Sequence, residues 1–378
     1  MEGVRCEKNY RQNVIAMDLR IKKLDWYIFK RFITTFFLAI LFIVVVVIIF
    51  DISEKIDDFV SKEAPLHAII FDYYLNFIPY FMNMFSPLFV FLSVIFLTSK
   101  MASNSEIIAI LSGGISYPRM LVPYAAGAFV IASISLVLNL FVIPNANVTR
   151  LAFEDKYVYH HASAVQEVHY QIEPGTFLYT ESFSSWNNTA YKFTLENIKD
   201  NRLVSKLSAE TAKWDSTMAG WRLNKYFTRE YLPDKMDIVN LGETKDTVLN
   251  FTIEDFYRNK MTVESLPYKQ LNDLIDTQIM RGDPNVMYAQ IEKNNRFSLP
   301  FSAFILTIMG VCLSSRKKRG SMGWNLALGI GLAFTYILFM KFSQMFVFTG
   351  TLSPAMAIWL PNMVFTVITA FLYHLAPK

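Results

Sequence analysis

Charged residues are scarce in this sequence of 378 residues: they make up 18% of it, against 53% for hydrophobic residues. A soluble globular protein has about 25% charged and about 45–50% apolar residues. The apolar excess lies in long runs such as 32–50. A helix of roughly 20 apolar residues is long enough to cross a bilayer. The composition therefore indicates an integral membrane protein rather than a soluble one.

Cysteine is almost missing, since the chain contains only Cys6 and Cys312. Two cysteines cannot build a disulfide scaffold, and Cys312 is expected to pack as a small hydrophobic residue in its apolar run. The sequence also lacks the motifs GxxxxGK[ST], HExxH and GxSxG. We therefore predict no catalytic residue, no cofactor and no metal. Any energy for work on a substrate is expected to come from a partner.

Histidine is rare, yet His160, His161 and His169 lie close to Glu167 in the sequence. Adjacent residues of a strand point to opposite faces, so His160 and His161 would not converge on one ion in a strand. A metal site and solvated surface histidines are the two interpretations. We expect the solvated one.

Six apolar stretches are predicted to be membrane-spanning helices, since a helix satisfies its own backbone polar groups in lipid. They are 32–50, 69–97, 120–143, 297–313, 321–341 and 354–373. The third is predicted to end before Pro144. The long segment between the third and fourth spans contains no further span.

Basic residues in short loops predict the orientation of the spans. They are enriched before span one and between spans four and five, whereas the loop after span one is acidic. The basic residues are Arg20, Lys22, Lys23, Lys30 and Arg31, then Arg316, Lys317, Lys318 and Arg319; the acidic ones are Asp51, Glu54, Asp57, Asp58 and Glu63. Both termini are therefore predicted to be cytoplasmic, and the long insertion to lie outside.

The insertion is predicted to be a β domain. Residues 190–198 and 220–231 alternate apolar and polar side chains, the pattern of half-buried strands. In the first, Tyr191, Phe193 and Leu195 alternate with Lys192, Thr194 and Glu196. Turn signals recur at 173–175, 200–201, 219–220 and 241–242. Many short strands at this spacing are typical of a sandwich or jelly roll.

The end of the insertion is predicted to be helical. Leu271, Leu274 and Ile275 share one face of a helix within 265–282, and Gly282 is placed to end it. A second helix is expected to run from Asn285 into span four.

The segment between spans two and three contains a short predicted helix, from about Glu106 to Leu111. Ser103 or Ser105 is placed to cap it, and the helix dipole favours Glu106 in the first turn. Gly113 and Gly114 end it. Ile107, Ile108, Ile110 and Leu111 are too apolar for a solvated loop. An interfacial helix lying on the bilayer and a helix that inserts into a cytosolic partner are both open interpretations.

Span five contains the small residues Ala327, Gly331 and Thr335 at intervals of four, which permits close helix approach. We expect this stripe to pack within the chain. Lys341 is predicted to close the span on its outer side. There it either snorkels to the interface or contacts an anionic lipid headgroup.

An ordered set of segments resembles the lipopolysaccharide-export permeases of the LptF/LptG type. MASNSEIIAILSGGIS (101–116) resembles the coupling helix of that family, and its glutamate falls on Glu106. The opening LDWYIFKRFITTFF and the C-terminal segments RFSLPFSAFILTIMGVCLSSRKKRG, GIGLAFTYILF and GTLSPAMAIWLPN also fit. The resemblance covers nearly the whole chain and is slightly closer to LptG.

The resemblance implies a permease subunit of an ATP-driven transporter. This transporter extracts lipopolysaccharide from the inner membrane of a Gram-negative bacterium and passes it to a periplasmic bridge toward the outer membrane. The implied fold has six transmembrane helices (3+3) with a periplasmic β-jelly-roll domain inserted between helices 3 and 4. The implied partners are a cytosolic ABC ATPase dimer, a second permease of the family, a periplasmic jelly-roll bridge protein, a single-span regulator and lipopolysaccharide, with no nucleic acid. The implied ATPase-coupling residues are Glu106, Ile107, Ile110, Leu111 and Gly113.

These expectations divide the chain into four parts. Residues 1–31 form a cytoplasmic segment, 32–143 form spans one to three with the coupling helix at about 103–114, 144–285 form the β domain, and 286–378 form spans four to six. Alternatives are an ABC-type permease for another lipid, a non-transporting mechanotransmission subunit and a lipid-modifying enzyme. The 3+3 layout argues against the second, and the lack of a clustered intramembrane set of acidic, histidine or serine residues argues against the third.

Overall fold

The structure is a computed structural model. It describes residues 23–158, 164–184, 186–232, 236–249, 251–253, 256, 263–283, 285–315 and 321–376. The predictions for Cys6, Arg20, Lys22, His160, His161 and the basic loop 316–319 lie outside these residues.

The helices of the described chain are, in order, α1 (Lys23–Ser61), α2 (Leu66–Ser103), α3 (Glu106–Ser112), α4 (Tyr117–Tyr157), α5 (Tyr268–Arg281), α6 (Val286–Ser314), α7 (Ser321–Phe348) and α8 (Pro354–Leu375). Six of these described helices, all except α3 and α5, are long and apolar enough to cross a membrane. The predicted number and order of spans are thus confirmed. Three spanning helices precede the β domain and three follow it.

Helix α1 is longer than span one, because it continues to Ser61. The acidic residues assigned to a loop after the span, Asp51, Glu54, Asp57 and Asp58, are therefore helical. They extend α1 by a polar last part rather than forming an irregular connection.

The sequence predicted that the third span ends before Pro144, but helix α4 continues past this residue. A proline lacks the N–H that a helix interior needs. Here a π-helical segment, Leu138–Val142, comes first, and Pro144 stands in the first turn of the α-helical stretch Ile143–Tyr157, where a missing N–H is tolerated. The side-chain amide of Asn145 donates to the carbonyl oxygen of Phe141 at 2.9 Å.

Two predictions for span five, which corresponds to helix α7, are wrong. Lys341 does not close the helix, because the helix continues to Phe348. The stripe of Ala327, Gly331 and Thr335 does not pack within the chain but is exposed. Apart from its chain neighbours and the backbone of its own helix, no described atom lies within 4 Å of the position that a Cβ on Gly331 would take.

The insertion folds as one six-stranded antiparallel sheet in sequential order: β1 (Ala164–Glu173), β2 (Thr176–Ser184), β3 (Thr189–Lys199), β4 (Arg202–Asp215), β5 (Gly220–Glu230) and β6 (Ile238–Thr247). The predicted β domain between spans three and four is confirmed. Three predicted turns lie between strands, and Gly175, Asp200, Asn201 and Ala219 have the positive φ angles of tight turns.

The fourth predicted turn, at 241–242, is wrong, because both residues lie inside β6. Gly242 pairs with Tyr226 of β5. A Cβ on Gly242 would lie 2.6 Å from a ring atom of Tyr226. The glycine therefore allows a close approach between strands instead of a turn.

The core of the sheet is aromatic. Trp221 is fully buried, and its indole N–H donates to the carbonyl oxygen of Phe251 at 2.8 Å. Phe193 packs in the same core, but Tyr191 is 38% exposed. The predicted alternation fails at Tyr191 and also at Thr194, which is buried, and the intervening Lys192 has a φ of 51° rather than the φ of a regular strand.

Helix α5 fulfils its prediction. Leu271, Leu274 and Ile275 are buried together, and Gly282 ends the helix with a φ of 65°. Beyond it, Asp283 accepts hydrogen bonds from the Gln278 amide at 3.1 Å and from the backbone N–H of Asn285 at 2.8 Å. Burial raises the pKa of the Asp283 carboxyl. Helix α6 then begins one residue after Asn285, as predicted.

Two compact units make up the chain. The first comprises the residues up to Ile49, Phe81–Leu138 and the residues from Asn295 onwards; the second comprises Phe50–Tyr80 and Asn139–Asn294. The first unit contains α3, and the second contains the sheet. Each has one group of residues that we consider as a functional site.

Candidate functional site

Helix α3, in the first unit, is the predicted coupling helix, and it is seven residues long. Its end is as predicted. Gly114 has a φ of 83°, its N–H donates to the Leu111 carbonyl at 3.1 Å, and the Ile115 N–H donates to the Ile110 carbonyl at 3.3 Å. Bonds of this kind satisfy the last carbonyls of a helix and stop it sharply.

The start of α3 differs from the prediction, because neither serine caps it. Ser105 has a left-handed backbone with a φ of 65° and makes no side-chain capping bond. The Ser103 hydroxyl donates instead to the Lys100 carbonyl at 2.9 Å. The chain therefore turns sharply between α2 and α3 through the backbone of Ser105.

The apolar residues of α3 divide between an inner and an outer face. Ile107 is 1% exposed, whereas its neighbour Ile108 is 53% exposed. Ile110 and Leu111 are half-buried, and Gly113 is exposed. Among the predicted coupling residues, Ile107 is thus an internal anchor. Ile108, which was not among them, presents the apolar side chain most open to a partner.

Glu106 is half-buried and accepts two hydrogen bonds. The hydroxyl of Tyr27, on α1, donates to Glu106 Oε2 at 3.3 Å, and the amide of Asn104 donates to Oε1 at 3.2 Å. Both donors are uncharged, so neither neutralises the carboxylate. The two hydrogen bonds orient the carboxylate, and a cation from outside the chain would add the charge-assisted bond that these donors do not supply.

The second unit contains a buried charge cluster that the sequence analysis did not identify. It consists of Asp51 and Lys55 on α1, Tyr73 and Tyr74 on α2, and Glu154 on α4. The side chains of Lys55, Asp51 and Glu154 are 16%, 11% and 4% exposed. Charges at this burial are rare unless they are paired.

Asp51 is the best-satisfied member of the charge cluster. It accepts hydrogen bonds from Tyr73 at 3.1 Å and Tyr74 at 3.0 Å, and its distance to Lys55 Nζ is 3.0 Å. The two tyrosines are adjacent in sequence, and a π-helical segment, Ile69–Tyr74, contains both. Such segments are frequent at functional positions.

Glu154 is less well satisfied. Its Oε1 lies 3.5 Å from Lys55 Nζ, and its buried Oε2 has no hydrogen-bond partner among the described residues. Lys55 also bonds the Tyr73 hydroxyl. One lysine thus lies between two buried carboxylates and joins the parts of α1, α2 and α4 in this unit.

The remaining predicted residues are not brought together. Lys341 is exposed on α7. His169 is exposed, and its ring centroid lies 4.4 Å from that of Tyr179. The two other histidines of the predicted group, His160 and His161, lie outside the described residues.

Comparison with known families agrees with this arrangement. The sequence model described as lipopolysaccharide export system permease LptF/LptG matches residues 26–375. No match was found among curated proteins. The family match extends over α3, the inserted sheet and the six spanning helices, and it indicates a multi-pass inner-membrane protein. The chain belongs to the LptF/LptG family of lipopolysaccharide export permeases.

Proposed function

We propose that this chain is the permease subunit of an ATP-driven transporter that extracts lipopolysaccharide from the inner membrane and passes it toward the outer membrane. Helix α3 is the observation that carries the proposal. It joins two spanning helices directly, begins with a fixed acid and exposes Ile108. The sequence has no phosphate loop, so a separate ATPase must drive the chain.

The proposed ATPase is a cytosolic ABC dimer that binds α3. Glu106 pairs with a cation of the ATPase, Ile108, Ile110 and Leu111 supply apolar contact, and Ile107 anchors α3 in the permease. Gly113 ends the helix. The proposed complex also contains a second permease of the family, a single-span regulator and a periplasmic jelly-roll bridge protein.

Co-purification tests the proposal. The chain, expressed with its native neighbours and isolated in mild detergent, is expected to bring with it an ATPase and a second permease. Mass spectrometry is expected to find lipopolysaccharide in the same preparation. A lone stable chain with no ATPase would contradict the proposal, and a different co-purified lipid would redirect it to another substrate.

The topology gives the first testable prediction. With both termini cytoplasmic and the β domain, 144–285, periplasmic, single cysteines at Asp57 and Trp186 should react with an impermeant reagent in intact cells. Trp186 is 89% exposed, so access does not limit the reaction. A cysteine at Lys317 should react only after permeabilisation. Labelling at Lys317 in intact cells would overturn the proposed orientation.

The second testable prediction concerns Lys341. If its ammonium contacts a lipid phosphate, Lys341→Glu should weaken photocrosslinking to lipopolysaccharide about tenfold, because a like charge replaces an attraction worth on the order of 1 kcal/mol. Assembly with the ATPase should be unchanged, since α7 keeps its apolar surface. Lys341→Gln should give an intermediate loss. Unchanged crosslinking in Lys341→Glu would show that Lys341 only extends to the membrane interface and does not contact the lipid.

A further inference from the structure

We infer that Asp25, Tyr27 and Arg119 form a latch that fixes the cytoplasmic end of α1 to α3 and α4, so that α1 moves together with α3. The inference rests on the proposed function, because it concerns how a displacement of α3 reaches the spanning helices. All the groups that carry it lie in the first unit.

The first point of the latch is an ion pair between α1 and α4. Both amine nitrogens of the Arg119 guanidinium donate to the Asp25 carboxylate, at 2.8 and 2.6 Å. The side chains are only 13% and 14% exposed. A bidentate arginine–carboxylate pair has a defined geometry and is stronger than a neutral hydrogen bond. At this burial it is also less screened than a surface pair.

The second point is the hydrogen bond from the Tyr27 hydroxyl to Glu106 Oε2, between α1 and α3. The Arg31 guanidinium lies 4.3 Å from the centroid of the Tyr27 ring, one turn further along α1. This cation–π contact holds the ring in place from the side of α1.

The two points act on opposite sides of α1. At 3.6 residues per turn, Asp25 and Tyr27 are separated by about 200° around the helix axis. Asp25 contacts α4 and Tyr27 contacts α3, so the first turn of α1 is held from two directions. A single contact would allow α1 to pivot, whereas two opposed contacts do not.

Close packing supports the latch one turn deeper. Phe32 of α1 is fully buried, and a Cβ on Gly127 of α4 would overlap its ring. Its ring centroid lies 6.1 Å from that of Tyr124, whose hydroxyl accepts a hydrogen bond from Thr98 of α2 at 3.0 Å. The cytoplasmic end of α1 is therefore packed against α4, and the same tyrosine of α4 is hydrogen-bonded to α2. Within the first unit α1 is one continuous helix up to Ile49, so a movement of its first turns is expected to shift this part of the helix.

Distance measurement tests the inference directly. Spin labels at Lys30→Cys on α1 and Ser112→Cys on α3 use two exposed positions, in a chain whose Cys6 and Cys312 are replaced by serine. In the complex with its ATPase, the distance between the labels should be the same with and without bound ATP. In Asp25→Ala/Tyr27→Phe it should become nucleotide-dependent or broad. A nucleotide-dependent distance in the otherwise native chain would overturn the latch.

The amount of lipid released per ATP hydrolysed provides a functional test of the latch. Asp25→Ala and Arg119→Ala should leave ATP hydrolysis intact but lower the lipid released per ATP by about tenfold, since each removes one member of the largely buried ion pair between α1 and α4. The charge exchange Asp25→Arg/Arg119→Asp should restore most of the lipid release per ATP. Asp57→Ala removes an exposed acid from the same helix and should have no effect.

The two proposals fail in distinguishable ways. If the native complex releases no lipopolysaccharide with ATP, the proposed function fails. If the native complex releases it and the latch variants release as much per ATP, the latch alone is wrong. Loss of release in Asp25→Ala that the charge exchange rescues would support the latch against a merely structural role.

Discussion

Lys55→Met is expected to destabilise the second unit by about 3–5 kcal/mol, because it leaves two buried carboxylates without their shared cation. Asp51 and Glu154 are only 11% and 4% exposed in their side chains, so bulk water solvates both carboxylates poorly. Asp51 keeps the hydroxyls of Tyr73 and Tyr74, whereas Glu154 loses its ion pair. Thermal unfolding of the purified chain in detergent measures the effect.

Two variants make the Lys55 result specific. Lys30→Met removes an exposed lysine from the same helix and should leave the unfolding midpoint unchanged. Adding Asp51→Asn and Glu154→Gln to Lys55→Met should recover much of the loss, because neutral amides remove the unpaired charges. An unfolding midpoint for Lys55→Met equal to that of the native chain would show that the buried charge cluster does not stabilise this unit.

Glu106→Lys is expected to weaken binding of the ATPase about 30-fold or more. Removing one partner of a partly buried charge pair costs about 2–5 kcal/mol, and the new ammonium would also repel the cation that we propose on the ATPase. The sheet lies in the other unit and should stay folded. Pull-down of the ATPase at graded concentrations, with circular dichroism as a fold control, measures both effects.

Glu106→Gln tests whether ATPase binding depends on the charge of Glu106 or on the local structure of α3. The amide oxygen still accepts a hydrogen bond from Tyr27 or Asn104, so the local structure of α3 is retained while the charge is lost. We expect Glu106→Gln to weaken the ATPase nearly as much as Glu106→Ala. Glu230→Lys, an exposed reversal on β5, should bind normally. Normal binding and release in Glu106→Lys would make α3 an interfacial segment only.

Features governed by local sequence were predictable. The long apolar runs give the six spanning helices, and Gly113–Gly114 and Gly282 end α3 and α5 where expected, because a positive φ is the common way to stop a helix. The strands β3 and β5 follow from their alternation, although the pattern fails at Tyr191.

Features governed by tertiary contacts were not predictable. Glu154 and Lys55 are 99 residues apart, so no local pattern indicates their pairing. Nor does the sequence show which isoleucine of α3 is buried, since Ile107 and Ile108 are adjacent and chemically identical. Gly242 resembles a turn signal, yet it serves the close approach of Tyr226 within the sheet. Pro144 ends a helix by propensity, but a preceding π-helical segment lets α4 continue.

ATP-dependent release of lipopolysaccharide from proteoliposomes tests the central claim most directly. The vesicles contain the chain with its ATPase and second permease, and an acceptor bridge protein is added outside. We predict release with ATP in the native complex, and none without ATP or with Glu106→Lys at ATPase concentrations that saturate the native chain. Equal release by the native chain and by Glu106→Lys would show that ATP hydrolysis is not coupled through α3, and no release by the native complex would contradict the proposed function itself.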